Sequence, residues 1–154
     1  MSDVFDKIID GEIPSYKVYE DDDVLAFLDL TQATPGHTLV VPKKHVANIY
    51  EYDDELAARV LGILPKIARA IKASDDKIIG LNIINNNGEA AGQSVFHSHF
   101  HLVPRYIDDE FDIPVVDNSE KMTDTIYQER AKKLQHNLKR INLCLKKQKY
   151  DSTI

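Results

Sequence analysis

The chain has 154 residues, 43% of them hydrophobic and 29% charged, with a net charge of −6. A single domain of this size withdraws roughly 70% of its unfolded surface from water, so a full core is within reach. No apolar run approaches the ~20 residues of a membrane span, and the opening residues Met1 to Asp6 lack the basic-then-apolar pattern of a secretory signal, so a soluble cytoplasmic protein without membrane contact is expected. The acidic balance argues against nucleic acid as a partner, since nonspecific binding rests on many Lys and Arg contacts to phosphate, yet it leaves room for a small anionic substrate in a donor-rich pocket. The single cysteine, Cys144, cannot form an internal disulfide and sits in a lysine-rich, apolar-periodic tail, which points to packing rather than chemistry.

Val4, Phe5, Ile8 and Ile9 fall at helical spacing before Gly11, which predicts a short first helix. Pro14 breaks it. Tyr16 to Tyr19 and Val24 to Leu30 read as two strands joined by the acidic turn at 21–23, and His37 to Pro42, after the turn signal Thr34-Pro35-Gly36, as a third. From Asp53, a candidate N-cap, the series Leu56, Val60, Leu61, Leu64, Ile67, Ala68, Ile71 predicts the main amphipathic helix, with Pro65 expected to kink or divide it. Ile78 to Ile84 and Val95 to Val103 read as further strands around an Asn-rich turn at 85–88. Short turns with one inserted helix favour an α+β fold built on an antiparallel sheet of about five strands. Residues 107–118 should be irregular, and Lys121 to Lys147 a tail helix with a broken stripe of Ile126, Leu134, Leu138, Ile141 and Leu145. The core of the domain is expected over 1–106, with 107–154 as an extension of the same single domain.

Chemistry concentrates at His97, His99 and His101. Alternating positions on a strand put three imidazoles on one face, with Phe96, Ser98, Phe100 and Leu102 on the other. A row of three demands more hydrogen-bond partners than packing explains. Two chemistries use such a row: metal ligation by neutral imidazoles, or nucleophilic attack on phosphorus by one ring while its neighbours hold its other nitrogen and the phosphoryl oxygens. The preceding segment from Asn86 to Ser94 favours the second, because its glycines allow close backbone approach and its amides and hydroxyl are neutral donors to phosphate oxygens.

His97 to Val103, together with Gly92-Gln93-Ser94-Val95 before it, resembles the signature of the histidine-triad (HIT) superfamily and its Hint-like branch; Ser98, at a position that the pattern keeps apolar, is the departure. Phe5 to Pro14 resembles the family's opening, Leu25 to Asp29 its ribose-binding strand, and Pro35 to His45 its second block, so that about the first 106 residues are covered. The resemblance implies a hydrolase or nucleotidyl transferase in which His99 attacks the α-phosphate and forms a covalent nucleotidyl-histidine. It implies that His97 positions His99, that His101 and His37 hydrogen-bond around the phosphoryl group and its leaving atom, and that Gln93, Ser94 and Asn86 contact phosphate oxygens. It places Asp29 on the ribose hydroxyls and Leu30, Phe27, Phe5 and Ile8 around the base.

The implied substrates are purine nucleoside phosphoramidates or dinucleoside polyphosphates, and the implied assembly is a homodimer joined through the long helix and an edge strand. Some bacterial relatives build a structural zinc site from a Cys-x-x-Cys pair, a histidine of the second block and the first triad histidine. The corresponding positions here resemble Asp3, Asp6, His45 and His97, and carboxylates in place of thiolates should lower the affinity, so no metal or other cofactor is expected. The alternatives are a nucleotide-binding interaction module with incidental turnover and a metal-dependent hydrolase with the histidine row as ligands.

Overall fold

The computed structural model describes residues 3–151, with side chains through residue 142. The first of two compact units, Met1–Asp112, is a five-stranded antiparallel sheet with helices on its faces; the second is Ile113–Ile154. The boundary lies just past the expected core because Arg105 binds Asp109 and the Phe111 carbonyl, while Asp109 also accepts from the Tyr106 amide, tying residues 105–111 to the sheet.

Helix α1, Val4–Ile9, begins with a capping box. Asp3 accepts from the Phe5 and Asp6 amides at 2.8 and 2.9 Å, and Asp6 accepts from the Asp3 amide at 3.0 Å. Gly11, at φ +77°, ends the turn. The strands are β1 (Lys17–Glu20), β2 (Val24–Leu28), β3 (Thr38–Pro42), β4 (Gly80–Ile84) and β5 (Phe100–Arg105), in the order β1-β2-β3-β5-β4. Helix α2, Asp54–Ser74, crosses one face after an N-cap at Asp53 and runs through Pro65 as one element. Pro65 and Leu61, whose carbonyl loses its helical partner, both lie on the exposed side, while Leu64 and Ile67 stay buried.

Strand alternation sorts the core into two clusters. Val24, Ala26, Val40, Phe100 and Leu102 pack with Leu56, Val60, Leu64, Ile67 and Ile71 of α2. Leu25, Phe27, Leu39 and Val41 pack on the other face with Phe5 and Ile8 of α1. The second unit carries helix α3, Asp124–Asp151, after an irregular stretch and a short 3-10 turn at Ser119–Lys121. Of its expected stripe, Ile126 is half-buried and Leu134, Leu138 and Ile141 are exposed; the side chains of Leu145 and Cys144 lie outside the described residues. Among the described residues no helix is long and apolar enough to cross a membrane.

Leu102 is wholly buried at the centre of the α2-side cluster, so Leu102→Ala should cost about 2 to 5 kcal/mol in denaturant unfolding. Leu30→Ala, at a residue 84% exposed, should change stability by less than about 0.5 kcal/mol. Equal costs at the two positions would contradict this packing.

Candidate functional site

The triad does not lie on one strand. Strand β5 begins at Phe100, five residues later than expected, and His97 to His99 form an irregular approach to it. The ladder between β3 and β5 stops at the Val40–Phe100 pair, and beyond it Pro42 has no N–H with which to extend pairing on that side. Individual bonds hold the approach instead: the Ser98 amide donates to the Val46 carbonyl at 2.7 Å, Tyr52 and Ser98 join hydroxyls at 3.1 Å, and the His97 ring bonds the Pro42 carbonyl at 2.8 Å. Phe100 and Leu102 do face the α2-side core, as the alternation requires.

His99 is 5% exposed, and its Nδ1 lies 2.8 Å from the backbone carbonyl of His97. A carbonyl only accepts, so Nδ1 carries the hydrogen and Nε2 presents a lone pair. His97 thus positions His99 through its backbone, not its ring. Phe5 seats edge-on against the His99 ring at a centroid distance of 5.1 Å. The His101 ring lies 4.9 Å from that of His99. Asn85, which the sequence reading passed over, donates to the His99 carbonyl at 2.8 Å and fixes the same residue from behind. Its only signal in the sequence was membership of an Asn run that also reads as a turn.

His37, expected at the phosphoryl group, is bonded to the triad itself: its Nε2 lies 3.0 Å from His101 Nδ1. Asp29 Oδ1 accepts from the Thr31 amide and hydroxyl, and its Oδ2 lies 3.7 Å from His37 Nδ1. Burial raises the Asp29 pKa, but the Thr31 bonds and the nearby His37 and His101 bring it below the usual carboxylate value. Burial pushes His37 and His99 below the usual imidazole range, and takes His101, with its two histidine neighbours, down to about 4. At neutral pH these rings are uncharged.

The remaining expected contacts divide. Gln93 is buried, and both ends of its amide are engaged by the chain: it donates to the Ala47 and Val95 carbonyls and accepts from the Gly88 amide. It therefore holds the loop before the triad and has no hydrogen left to point at a phosphate. Ser94 is exposed and, with Asp3, Val4, His45, Val95 and Phe96, lines a cavity of about 430 Å³. Asn86 is half-buried. Phe5, Ile8 and Phe27 are buried in the α1-side cluster, and Leu30 stands in solvent beside Asp29.

Asp3, Asp6, His45 and His97 bring one donor atom each to within 4.8 Å of one another. Because the Pro42 carbonyl takes the His97 Nε2 hydrogen, a neutral His97 aims its Nδ1 lone pair at Asp3 Oδ2 and Asp6 Oδ1, 3.5 and 3.3 Å away. Asp3 Oδ2 and His97 Nδ1 are both buried without a hydrogen-bond partner. Acceptors facing acceptors are stabilised by a cation, so this donor set fits a divalent ion. A second group, Asp29, His37 and His101, has similar spacing, but His99 joins neither, so the triad does not converge as one ligand set and the reading of the row as metal ligands is corrected.

Acidification should destabilise the fold. A buried imidazole with a depressed pKa adds stability above the unfolded value near 6.5, and that stability is lost as pH falls toward the folded value, about 4 for His101. The melting temperature should drop between pH 7 and pH 4, and less steeply in His101→Gln; a flat or rising profile would contradict the buried neutral rings.

The HIT domain family profile matches residues 10–108. Protein hit of Bacillus subtilis is 62% identical over 103 residues, covering 67% of this chain and 70% of that protein. Adenosine 5'-monophosphoramidase hnt1 of Schizosaccharomyces pombe is 41% identical over 105 residues, covering 68% and 75%. The crystal structure of a member of the HIT family from Bacillus subtilis superposes with a TM-score of 0.83 at 50% identity, over 86% of this chain and 94% of that one. On its histidine geometry, its sheet and these likenesses, the chain belongs to the HIT family.

Proposed function

We propose that this protein is a nucleotide hydrolase and nucleotidyl transferase that cleaves at the α-phosphate of purine nucleoside phosphoramidates or dinucleoside polyphosphates through a nucleotidyl-His99 intermediate. The observation that carries the reading is the His97 carbonyl bonded to His99 Nδ1, which leaves Nε2 as a buried, uncharged nucleophile beside a second imidazole. The Schizosaccharomyces pombe relative, named a monophosphoramidase, supports the substrate class.

In the first step the His99 Nε2 lone pair forms a bond to phosphorus as the bond to the leaving group breaks. A phosphate leaves with the electron pair. An amine must also take a proton, which the His37–His101 pair supplies from its singly protonated form, its positive charge facing Asp29. An incoming phosphate favours that form by placing negative charge beside the rings. In the second step water attacks the phosphorus and the bond to Nε2 breaks to restore His99; the water proton returns to the pair where an amine has left and passes to solvent where a phosphate has. Asp29 is the ribose acceptor in this reading. Asn86, Ser94 and backbone amides of the 86–94 loop are the donors to phosphate oxygens, where negative charge accumulates in the transition state.

A divalent cation held by Asp3, Asp6, His45 and His97 would tie the start of α1 to the triad approach and supply structure, not chemistry, since His97 holds His99 through its backbone carbonyl and His99 is not among the ligands. The working form is a cytoplasmic homodimer joined through α2 and β4, which among the described residues pairs only with β5.

Adenosine phosphoramidate and diadenosine tetraphosphate, assayed in parallel with chelator present, should both report turnover, and His99→Ala should lower it by at least about 10³-fold, as loss of a covalent nucleophile does. A fully active His99→Ala would overturn the nucleophile assignment. Separately, zinc added to metal-stripped protein should raise the melting temperature and Asp6→Asn should abolish that shift. Absence of any zinc effect in the unsubstituted protein would remove the cation from the account.

A further inference from the structure

The nine-residue loop from Asp29 to His37 carries both of those site residues at its ends, and no helix or strand stiffens it. Its own backbone closes it through the Asp29 amide on the His37 carbonyl at 3.0 Å and the His37 amide on the Thr34 carbonyl at 3.1 Å, and one side chain clamps both ends further. Gln32 Nε2 donates to the Asp29 carbonyl at 2.6 Å and to the His37 carbonyl at 2.8 Å, and Gln32 Oε1 accepts from the Gly36 amide at 2.8 Å. Both ends of the loop are therefore sewn to one amide, with all three bonds going to backbone.

Two backbone features show that the arrangement is held rather than relaxed. Gln32 has φ +44°, the only positive value at a non-glycine among the described residues, in a region that L side chains visit at a cost of about 1 kcal/mol or more. Gly36 has φ +88°, and a Cβ there would sit 3.3 Å from the Pro104 ring, so the loop meets the end of β5 at close range. The conformation that strains Gln32 also brings the Ala33 amide to His37 Nδ1 at 3.3 Å.

That amide matters because His37 Nδ1 has two competing neighbours. If Ala33 donates to it, His37 carries its hydrogen on Nε2, donates to His101 Nδ1, and His101 keeps its hydrogen on Nε2, the nitrogen not engaged by His37. If instead His37 Nδ1 holds a hydrogen toward Asp29 Oδ2, at 3.7 Å, the order reverses and a neutral His101 has no Nε2 hydrogen to offer. The position of the loop, to within a few tenths of an ångström, decides which form the resting pair adopts and how readily an added proton reaches Asp29's side.

We propose that Gln32 is a positioning residue for the transferred proton: its amide clamps the Asp29–His37 loop and so holds His37 in register between Asp29, the Ala33 amide and His101. Gln32 touches neither the nucleophile nor the phosphate in this account and acts through His37. The proposal deepens the proposed function and rests on it for its kinetic arm only.

The test compares Gln32→Gly and Gln32→Glu with the unsubstituted protein. Glycine relieves the positive φ but removes the clamp, and glutamate sets a carboxylate against two carbonyl oxygens. With adenosine phosphoramidate, kcat should fall about 10- to 100-fold in Gln32→Gly and further in Gln32→Glu, a share of what general acid catalysis contributes, while KM stays within about 3-fold. With the p-nitrophenyl ester of AMP, whose leaving group needs no proton, kcat should change by less than about 3-fold. Ring nitrogen NMR of the free protein should show His101 with its hydrogen on Nε2, and a mixture of tautomers in both variants. Gln32→Gly at full activity on the phosphoramidate, equal losses on both substrates, or an unchanged His101 tautomer would each overturn the proposal. If the unsubstituted protein turned over neither substrate, the proposed function would fail, and the NMR comparison would still decide whether Gln32 sets the state of His101.

Discussion

The bond from His99 Nδ1 to the carbonyl of His97 is the constraint on which the site depends. A neutral imidazole has one donor and one acceptor nitrogen, and a carbonyl partner leaves no choice as to which is which. Everything nearby serves to keep that carbonyl in place. Proline at 42 ends the local ladder and offers its own carbonyl to the His97 ring, the Ser98 amide is tied to Val46, and Gln93 closes the loop that delivers the chain to the triad. The histidines are aligned by what their backbones can and cannot pair with.

The same logic extends in two directions from the triad. Toward α1, the His97 ring bonded to the Pro42 carbonyl turns its Nδ1 to the carboxylates that also cap the helix, so the first turn and the approach to β5 share one polar cluster. Phe5, in the first turn of the same helix, rests against both His97 and His99, which couples the cap to the triad by packing as well. Toward β3, His37 and Asp29 extend the triad into a chain of titratable groups, and a loop of strained backbone sets the order of its hydrogens. Burial holds His37, His99 and His101 below the usual imidazole range, which limits the supply of protons to the pair that Asp29 faces.

Much of this was legible in the sequence where local rules act alone. The helices starting after Asp3 and Asp53, the three N-terminal strands and the burial of Phe100 and Leu102 follow from caps and periodicity. The α+β antiparallel sheet is as expected, and the triad residues are brought together around His99. What was not legible depends on tertiary partners. A run such as Val95 to Val103 reads as strand by composition, but whether it pairs is decided by Pro42 on another strand. Gln93 looks like a phosphate donor until the carbonyls of Ala47 and Val95 claim its hydrogens, and Gln32 looks like an ordinary turn residue until its three bonds are seen. Pro65 predicts a break, but it and Leu61 fall on the exposed side of α2 and the helix runs through them as one element.

The most direct test of the central claim is rapid-quench mass spectrometry of the protein during turnover of an adenosine phosphoramidate, with the adduct mapped by peptide. The account predicts a transient adenylyl group on the peptide containing His99, localised to that residue and absent in His99→Ala. An adduct on another residue, or steady turnover with no adduct at any time point, would contradict it.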